Sequence, residues 1–467
     1  MTQLTFFGGI NEIGGNKILL EESGTRVFLD FGKSFGLWGK FFEEFLRPSA
    51  SQGISQFLNT KLIPDIKGIY RKDLLEFADL PIHKQPYVHG VFLSHAHQDH
   101  ASYISFFDEE IPIYCSSTTK KVLEAIETVG NRNIEGEITN FKKRPLLASQ
   151  RLQLPISRQI FTEKKVIIDG IEMELVAVDH SIPGSCAMII HCPNSTIIYS
   201  GDLRLHGTFG NATEEFAQRA FDEKPDVFLC EGTRITETSR YGEEKVFEEA
   251  KDVCLKTKGL VTVEFSWKDI TRFLTIYKVA KETNRRVLIP IRLAYYINCL
   301  RQTLDFLPSL NDENILIFLE RISSGTYDDT DYSKWQREFL NYPNLVKADY
   351  VKINQNKIIS CLGYFDMLDL LEIKPEKNSA YIHATSEPYS EEMEFDAKRM
   401  DNWLELLELN KFQIHASGHA PGVDLFKIAN IINPKKLIPI HTVHPREFEK
   451  TDLKVLYPTI GETIIID

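Results

Sequence analysis

The sequence predicts an α/β protein in which one unit is inserted into another, and three observations predict it. Residues 1 to about 235 carry short strand-like runs that end in polar or glycine-rich loops: LTFF, NKILLEE, RVFLDFG, HGVFLSH, IPIYCSS, MELVAVDH, AMIIHC, STIIYSGD and DVFLCEG. From about residue 243 the rhythm changes to alternating helices and strands, the pattern of a parallel sheet covered on both faces. Strands that end in histidines then return in FQIHASGHAPG and LIPIHTVHP, before a short β tail. A polar rim begun before the alternating unit and finished after it requires that unit to be an insertion. The expected boundaries are 1–235, 236–390 for the insertion, and 391–467 for the completion of the first unit.

The elements follow in order. Several early strands deliver a potential ligand at their C-terminal ends: Asp30, His95, His180, Asp202 and Glu231. In the insertion, EEKVFEEAKDVCLK places Val246, Phe247, Ala250, Val253 and Cys254 at helical spacing. The strand GLVTVEF, the helix KDITRFLTIYKVAKE, the strand RVLIPI, the helix AYYINCLRQTLDFL and the strand NILIFLE come next. Phe273, Ile276, Tyr277 and Ala280 form a helical stripe that reads as core. The opening GGINEIGG does not fit a GxGxxG fingerprint and precedes a strand, so it reads as a turn near the ligand rim rather than a dinucleotide site.

A chain of 467 residues exceeds one small core. Hydrophobic and charged fractions of 43% and 26% are those of a globular protein. No run of 18 apolar residues is present, and the N-terminus lacks the basic and apolar regions of a signal peptide. Seven scattered cysteines without a CxxC pair read as reduced thiols, so a cytoplasmic location is expected. A formal charge of −12 argues against coating nucleic acid by bulk electrostatics. Divalent cations can nevertheless reverse the sign of one cleft. The basic stretches at 142–144, Arg285-Arg286 and Lys435-Lys436 read as solvated faces. The long segment 36–90, with its aromatic LWGKFFEEF, receives no role.

The densest chemistry lies in FLSHAHQDHAS, which follows the apolar strand GVFL and precedes a helix expected from Ser102. Alternate spacing on a tight loop lets His95 and His97 converge on one ion, while Asp99 and His100 turn toward a second. Imidazole and carboxylate suit Zn²⁺, with Mn²⁺ an alternative where oxygen ligands dominate. The spacing is not the HExxH of a helical zinc protease. The residues themselves therefore point to a metal site with two divalent ions.

Together with Asp30 in FLDFG, His180 in VDHSIPGS and Asp202 in YSGDLR, this motif resembles the metallo-β-lactamase superfamily. The resemblance implies a four-layer αββα sandwich with metals at one edge. It implies that His95, His97 and His180 hold one ion and Asp99 and His100 the other. Asp202 would bridge them, and Asp30 would orient a ligand imidazole. Fold alone cannot choose among the lactams, lactones, thioesters and phosphodiesters that such proteins serve.

The far end of the chain narrows the choice. His419 sits in HASGHAPGVDL, where Pro421 and Gly422 open a helix, so that backbone N–H groups and a positive helix end would face an anion. A histidine beside an anion site can protonate a leaving oxygen. His441 ends the strand LIPIH, well placed to complete the second metal's shell. With Glu231 in CEGT, these residues resemble the three extra motifs of the β-CASP nucleases, which carry an inserted α/β domain. GGINEIGGNK and ASGHA look most like ribonuclease J and its archaeal relatives. A histidine rather than valine at the third motif is the pattern of the RNA-acting branch.

That resemblance implies a metal-dependent ribonuclease acting on single-stranded RNA, mainly as a 5′→3′ exonuclease with endonucleolytic cleavage as a further mode. Catalytic roles are expected for Asp99, Asp202, Glu231 and His419, and phosphate binding for Ser417, Gly418, His419 and Ala420. RNA is expected to pass between the two domains. A small-molecule lactone or thioester hydrolase would need neither His419 nor the insertion, and a silent RNA-processing subunit would have lost ligands. The family's further C-terminal assembly domain has no counterpart after His441, so no oligomeric state is carried over. No membrane partner is expected. Of the other histidines, His444 and His383 are the two nearest to motif ends.

Overall fold

Alternation of apolar and polar side chains sets the first unit's strands. In Thr2–Gly8 the even positions Thr2, Leu4, Phe6 and Gly8 are buried while their neighbours are half-exposed, the period-2 pattern of a sheet with one face in a core. The computed structural model describes residues 1–467 except 44, 85, 131–132, 144–154, 387–390, 467 and the side chains of 391–394. Among the described residues the chain divides into two units. One comprises 1–205, 209–239 and 418–467, and the other 206–208 and 240–417.

The first unit holds two sheets. The first runs Thr463–Ile466, Thr2–Gly8, Lys17–Glu22, Thr25–Phe31, Gly90–Phe92, Ile113–Tyr114, Ile160–Phe161. The second runs Lys436–Ile440, Val227–Glu231, Ser195–Tyr199, Cys186–Cys192, Ile171–Ala177, Lys165–Ile168. Leu4, Phe6, Ile18, Leu20, Val27 and Leu29 of one sheet pack with Met173, Met188, Ile190, Ile197 and Leu229 of the other. The outer face of the second sheet (Ile189, Ile198, Phe228) packs on helix Gly210–Asp222 through Phe216 and Ala220. It packs likewise on helix Gly422–Ile432 through Leu425, Ile428 and Ile432. Outside the first sheet, Phe28 and Phe31 meet Phe107 at ring-centroid distances of 5.9 and 4.6 Å. Two sheets face to face with helices outside them make the expected αββα sandwich.

Parallel register then gathers the strand ends. Leu29 lies opposite Phe92, Tyr199 opposite Leu229, and Glu231 opposite Ile440. Asp30, at the end of its strand, and the residues that follow the others, the His95–His100 loop, Asp202 and His441, therefore emerge along the same ends of the two sheets. The helix expected from Ser102 begins earlier, as Gln98–Ala101, and continues as a 3-10 turn over Ser102–Phe106.

The second unit is one seven-stranded sheet, all of it parallel, in the order Leu345–Val346, Ile315–Phe318, Arg286–Pro290, Ile358–Ser360, Val261–Glu264, Ala380–His383, Asn410–Gln413. Helices Glu243–Lys256, Ile270–Glu282 and Ile291–Leu300 alternate with its first strands, as their spacing predicts. The exit boundary differs from expectation. Position 390 lies outside the described residues, and helix Glu391–Leu406 and strand Asn410–Gln413 still belong to this unit, which ends at Ser417. FQIH was expected to lie within the completion of the first unit. Instead its first two residues, Phe412 and Gln413, pair in parallel with Ile382 and His383 in the last strand of this sheet. A short apolar run reads the same in either sheet, and pairing alone decides.

The basic stretches also resolve. Arg285 is buried and donates to the carbonyls of Gly259, Ile358 and Thr257, so it ties these backbone segments together rather than facing solvent. Lys435 pairs with Asp226. Arg144 lies outside the described residues.

Candidate metal centre

Most imidazoles in the first unit's rim are aimed by a partner behind them. Asp30, fully buried and at φ 57°, a left-handed conformation that aspartate tolerates, collects four hydrogen bonds. It accepts from the Ser94 N–H and hydroxyl at 2.7 Å each, from the Tyr199 hydroxyl at 2.6 Å and from His100 Nδ1 at 2.7 Å. That leaves His100 Nε2 pointing into the rim. His180 donates from Nδ1 to the Gly418 carbonyl at 2.5 Å, which fixes its tautomer and turns Nε2 inward. His95 Nδ1 meets Ser94 Oγ at 2.9 Å. His441 Nδ1 meets Thr233 Oγ1 at 2.8 Å, and Thr233 in turn donates to Glu231 at 2.8 Å.

Inside this ring the ligand atoms converge in three groups that share Asp202. His95, His97, His180 and Asp202 form one group, Asp99, His100, Asp202 and His441 a second, and Asp202, Glu231 and His419 a third. Within each group the atoms lie within 4.8 Å of one another. In the first, His97 Nδ1 stands 3.1 Å from His95 Nε2 and 3.0 Å from His180 Nε2. Asp202 Oδ2 lies 3.5 and 3.6 Å from those two Nε2 atoms. In the second, His100 Nε2 is 3.2 Å from Asp202 and His441 Nε2 is 3.1 Å from Asp99. In the third, His419 Nδ1 sits 3.1 and 3.2 Å from the two oxygens of Glu231, while Nε2 is 3.9 Å from Asp202.

These residues fit a metal. Imidazole nitrogens about 3.3 Å apart are what Zn–N bonds of 2.0–2.1 Å give on the edges of a tetrahedron. Both oxygens of buried Asp202, and Nε2 of buried His100, have no aligned hydrogen-bond partner among the described residues. An unpaired buried carboxylate is expensive unless something positive meets it. The electrostatics make the same demand. Burial opposes charge on His100, but the carboxylates of Asp202, Asp30 and Asp99 outweigh it and hold its pKa well above the usual histidine range. Burial pushes His95 and His180 well below that range, toward the neutral form that ligates. For His419 burial again opposes the cation, but Glu231 and Asp202 raise its pKa to about 9.

With this geometry in place, the chain can be set beside known proteins. Residues 84–240 match the model described as the metallo-β-lactamase superfamily. That stretch is similar to a metallo-β-lactamase domain. Beyond it, the chain is similar to curated proteins named ribonuclease J over most of its length. One, from Mycoplasma pneumoniae, is 21% identical over 94% of this chain and 68% of its own length. One from Helicobacter pylori is 21% identical over 94% of this chain and 56% of its own length. An archaeal one, from Pyrococcus abyssi, is 20% identical over 94% of this chain and 90% of its own length. A crystal structure titled as a protein of unknown function from Enterococcus faecalis V583 shares the fold, with a TM-score of 0.75 at 23% identity over 99% of both chains.

In the loop around His419, one expectation changes. The loop before helix Gly422–Ile432 was expected to offer free N–H groups to an anion. The Ala420 N–H is instead taken by the Leu203 carbonyl at 2.8 Å, and the Gly422 N–H by Glu237 at 2.8 Å. Gly418 acts through its carbonyl on His180, and a side chain there would strike Ser181 Oγ at 2.5 Å. Ser417 closes the second unit, where its carbonyl accepts from His206 Nε2 at 3.0 Å. Neither His383 nor His444 belongs to a ligand group among the described residues. His383 lies in the second unit beside Thr385, at 2.7 Å.

The partners that aim the ring, Ser94, Tyr199 and Thr233, were not singled out from sequence. All three stand within three residues of a motif residue, but which neighbour faces inward depends on strand pleat and loop shape. Tyr199 is the most testable. Removing its hydroxyl leaves Asp30 one donor short and Asn16 without its acceptor, at 2.9 Å. Tyr199→Phe is therefore expected to weaken zinc binding about 10–100-fold. Competition against a fluorescent chelator measures this, and unchanged affinity would remove Tyr199 from the support of the site.

Proposed function

We propose that this chain is a metal-dependent ribonuclease that hydrolyses phosphodiester bonds of single-stranded RNA. Its main mode is 5′→3′ exonucleolytic, with endonucleolytic cleavage as a further mode. The observation that carries this reading is the third group, in which His419 and Glu231 join the two histidine-rich groups through Asp202. A small-molecule hydrolase of this fold has no need of that pair. The names of the relatives, spread over most of the chain, agree with it.

In this reading His95, His97, His180 and Asp202 hold one divalent cation, and Asp99, His100, His441 and Asp202 the other. Zn²⁺ is the first choice for such donors and Mn²⁺ the alternative. Bound there, two such ions would supply activated water at neutral pH and would neutralise charge on a phosphoryl group. The chain's own residues do the rest. Asp30 and the Gly418 carbonyl hold two imidazoles in ligating orientation. Glu231 holds His419 by Nδ1, so that Nε2 can carry a proton to the leaving oxygen. Gly418 and His419 flank the position of the scissile phosphate, while Ala420, its amide already bonded, contributes shape only.

Comparing 5′-monophosphorylated with 5′-hydroxyl single-stranded RNA tests the polarity. We expect the phosphorylated oligonucleotide to be degraded at least about tenfold faster, the discrimination that one charge-assisted contact supplies. Equal rates would remove the exonucleolytic part. Intact RNA after incubation with either Zn²⁺ or Mn²⁺, beside turnover of a chromogenic ester, would replace the whole reading with a small-molecule hydrolase.

A further inference from the structure

The segment that follows Asp30 is anchored on the metal rim and then leaves apolar rings in solvent. Gly32 presses against the Asp99 backbone, where a Cβ would fall 1.8 Å from the carbonyl oxygen. The Lys33 N–H donates to the Gln98 carbonyl at 2.9 Å, and Ser34 lies against Gly15, where a Cβ would come within 2.9 Å. Gly14, next along that loop, faces Asp99 itself, since a Cβ there would fall 2.6 Å from its side chain. Residues 32–34 thus touch the loop that carries Asp99 and His100. From there the short helix Phe35–Trp38, capped by Ser34, and a turn closed by Glu43 N–H to the Leu46 carbonyl carry the chain outward.

The side chains on this excursion are unlike an ordinary surface. Phe35 and Phe41 are each 48% exposed, Phe45 87% and Leu46 59%, with Ile13 of the neighbouring glycine loop at 44%. Cations accompany them. The Lys33 ammonium lies 4.0 Å from the Trp38 ring centroid, and Lys40 and Arg47 are exposed. Lys33 also pairs with Glu135 at 3.2 Å, and burial lowers its pKa against the pull of that carboxylate. Exposed apolar rings in a chain of net charge −12, flanked by Lys40 and Arg47 with the exposed Glu43 between them and contiguous with the metal rim, match a surface on which unpaired bases stack while phosphates meet the cations.

We propose that Phe41 and Phe45, with Lys40 and Arg47, form a stacking platform for bases of single-stranded RNA next to the metal centre. The proposal rests on the nuclease reading and adds to it the residues that hold the strand beside the cut. The platform acts on binding and positioning, not on the reacting atoms. Its removal must therefore spare a substrate that has no base.

The test compares the zinc-loaded full chain with its Phe41→Ala/Phe45→Ala variant on two substrates, a single-stranded RNA 10-mer and bis(p-nitrophenyl) phosphate. We expect kcat/KM for RNA to fall about tenfold or more, the scale of lost base–aromatic stacking, while the small phosphodiester changes less than about twofold. Phe41→Tyr/Phe45→Tyr should restore RNA turnover. RNA turnover within twofold of wild type overturns the platform, as does an equal loss on both substrates. A change in size-exclusion elution of the alanine variant would make the patch a contact between copies and overturn it too. Should wild type cleave the small diester but never RNA, the nuclease reading falls by itself. Fluorescence anisotropy of the same 10-mer then judges the platform, and equal Kd values for wild type and variant reject it.

Discussion

Replacing Asp202 with asparagine is expected to lower RNA hydrolysis by at least about a thousandfold and to reduce bound metal from about two ions per chain to one or none. Asp202 is the residue common to all three ligand groups. Its carboxylate stands 3.2 to 3.9 Å from nitrogens of His95, His100, His180, His419 and His441, and it is 1% exposed. Asparagine keeps the volume, so packing of the Leu203 and Gly201 loop is preserved and the fold should survive. What it loses is the charge, along with one of two oxygens able to face cations. It also brings an amide N–H₂ toward imidazole nitrogens that need a cation. Metal analysis and kinetics on the same preparation decide the matter. Two ions retained with near-normal turnover would show that Asp202 is not shared between sites. Two ions retained with turnover lost would assign it to the reacting centre instead.

His97→Ala removes a ligand from the first group only, and should cost one ion while RNA binding persists. Comparing it with Asp202→Asn separates a one-site lesion from a lesion of the shared carboxylate. The two losses should not add, because the single Asp202 change already disrupts the group that His97 completes.

How much of this centre was legible follows from where its residues sit in the chain. His95, His97, Asp99 and His100 are four polar side chains within six positions after an apolar strand, a density that marks itself. Asp30, His180, Asp202, Glu231 and His441 each end or closely follow an apolar run, so strand-end position singled them out. The sandwich register then brings those ends together. The supports were illegible for a different reason. Tyr199 reads as one more apolar residue of STIIYSGD, and only strand pleat places its hydroxyl on Asp30. Thr233 is a plain loop threonine until the backbone turns it between Glu231 and His441. The exit from the insertion was misplaced because FQIH has the look of a strand that delivers histidines. Its pairing with Ala380–His383 is a long-range contact that no local pattern encodes. The amide of Ala420 shows the same limit, since its acceptor Leu203 lies far away in sequence.

The sharpest remaining question is whether His419 moves a proton or holds an ion, and His419→Gln answers it. The geometry allows both, since His419 lies in the third ligand group and also stands at hydrogen-bond distance from Glu231. As a proton carrier its loss should lower kcat for RNA by about 10²–10⁴ and leave metal content unchanged. As a ligand its loss should lower metal content with a parallel loss of activity. We expect the first result. The first two groups already offer four donors each without it, and Nδ1 is engaged by Glu231 while Nε2 stands 3.9 Å from Asp202, farther than the donors of the first group. Glutamine retains a hydrogen-bond donor near the same place but cannot transfer a proton at neutral pH, so RNA binding should be kept. Glu231→Gln should give a milder form of the same phenotype, since it frees His419 to rotate without removing it. If instead His419→Gln releases an ion, the leaving oxygen must take its proton from water, and Nε2 of His419 is a ligand rather than an acid.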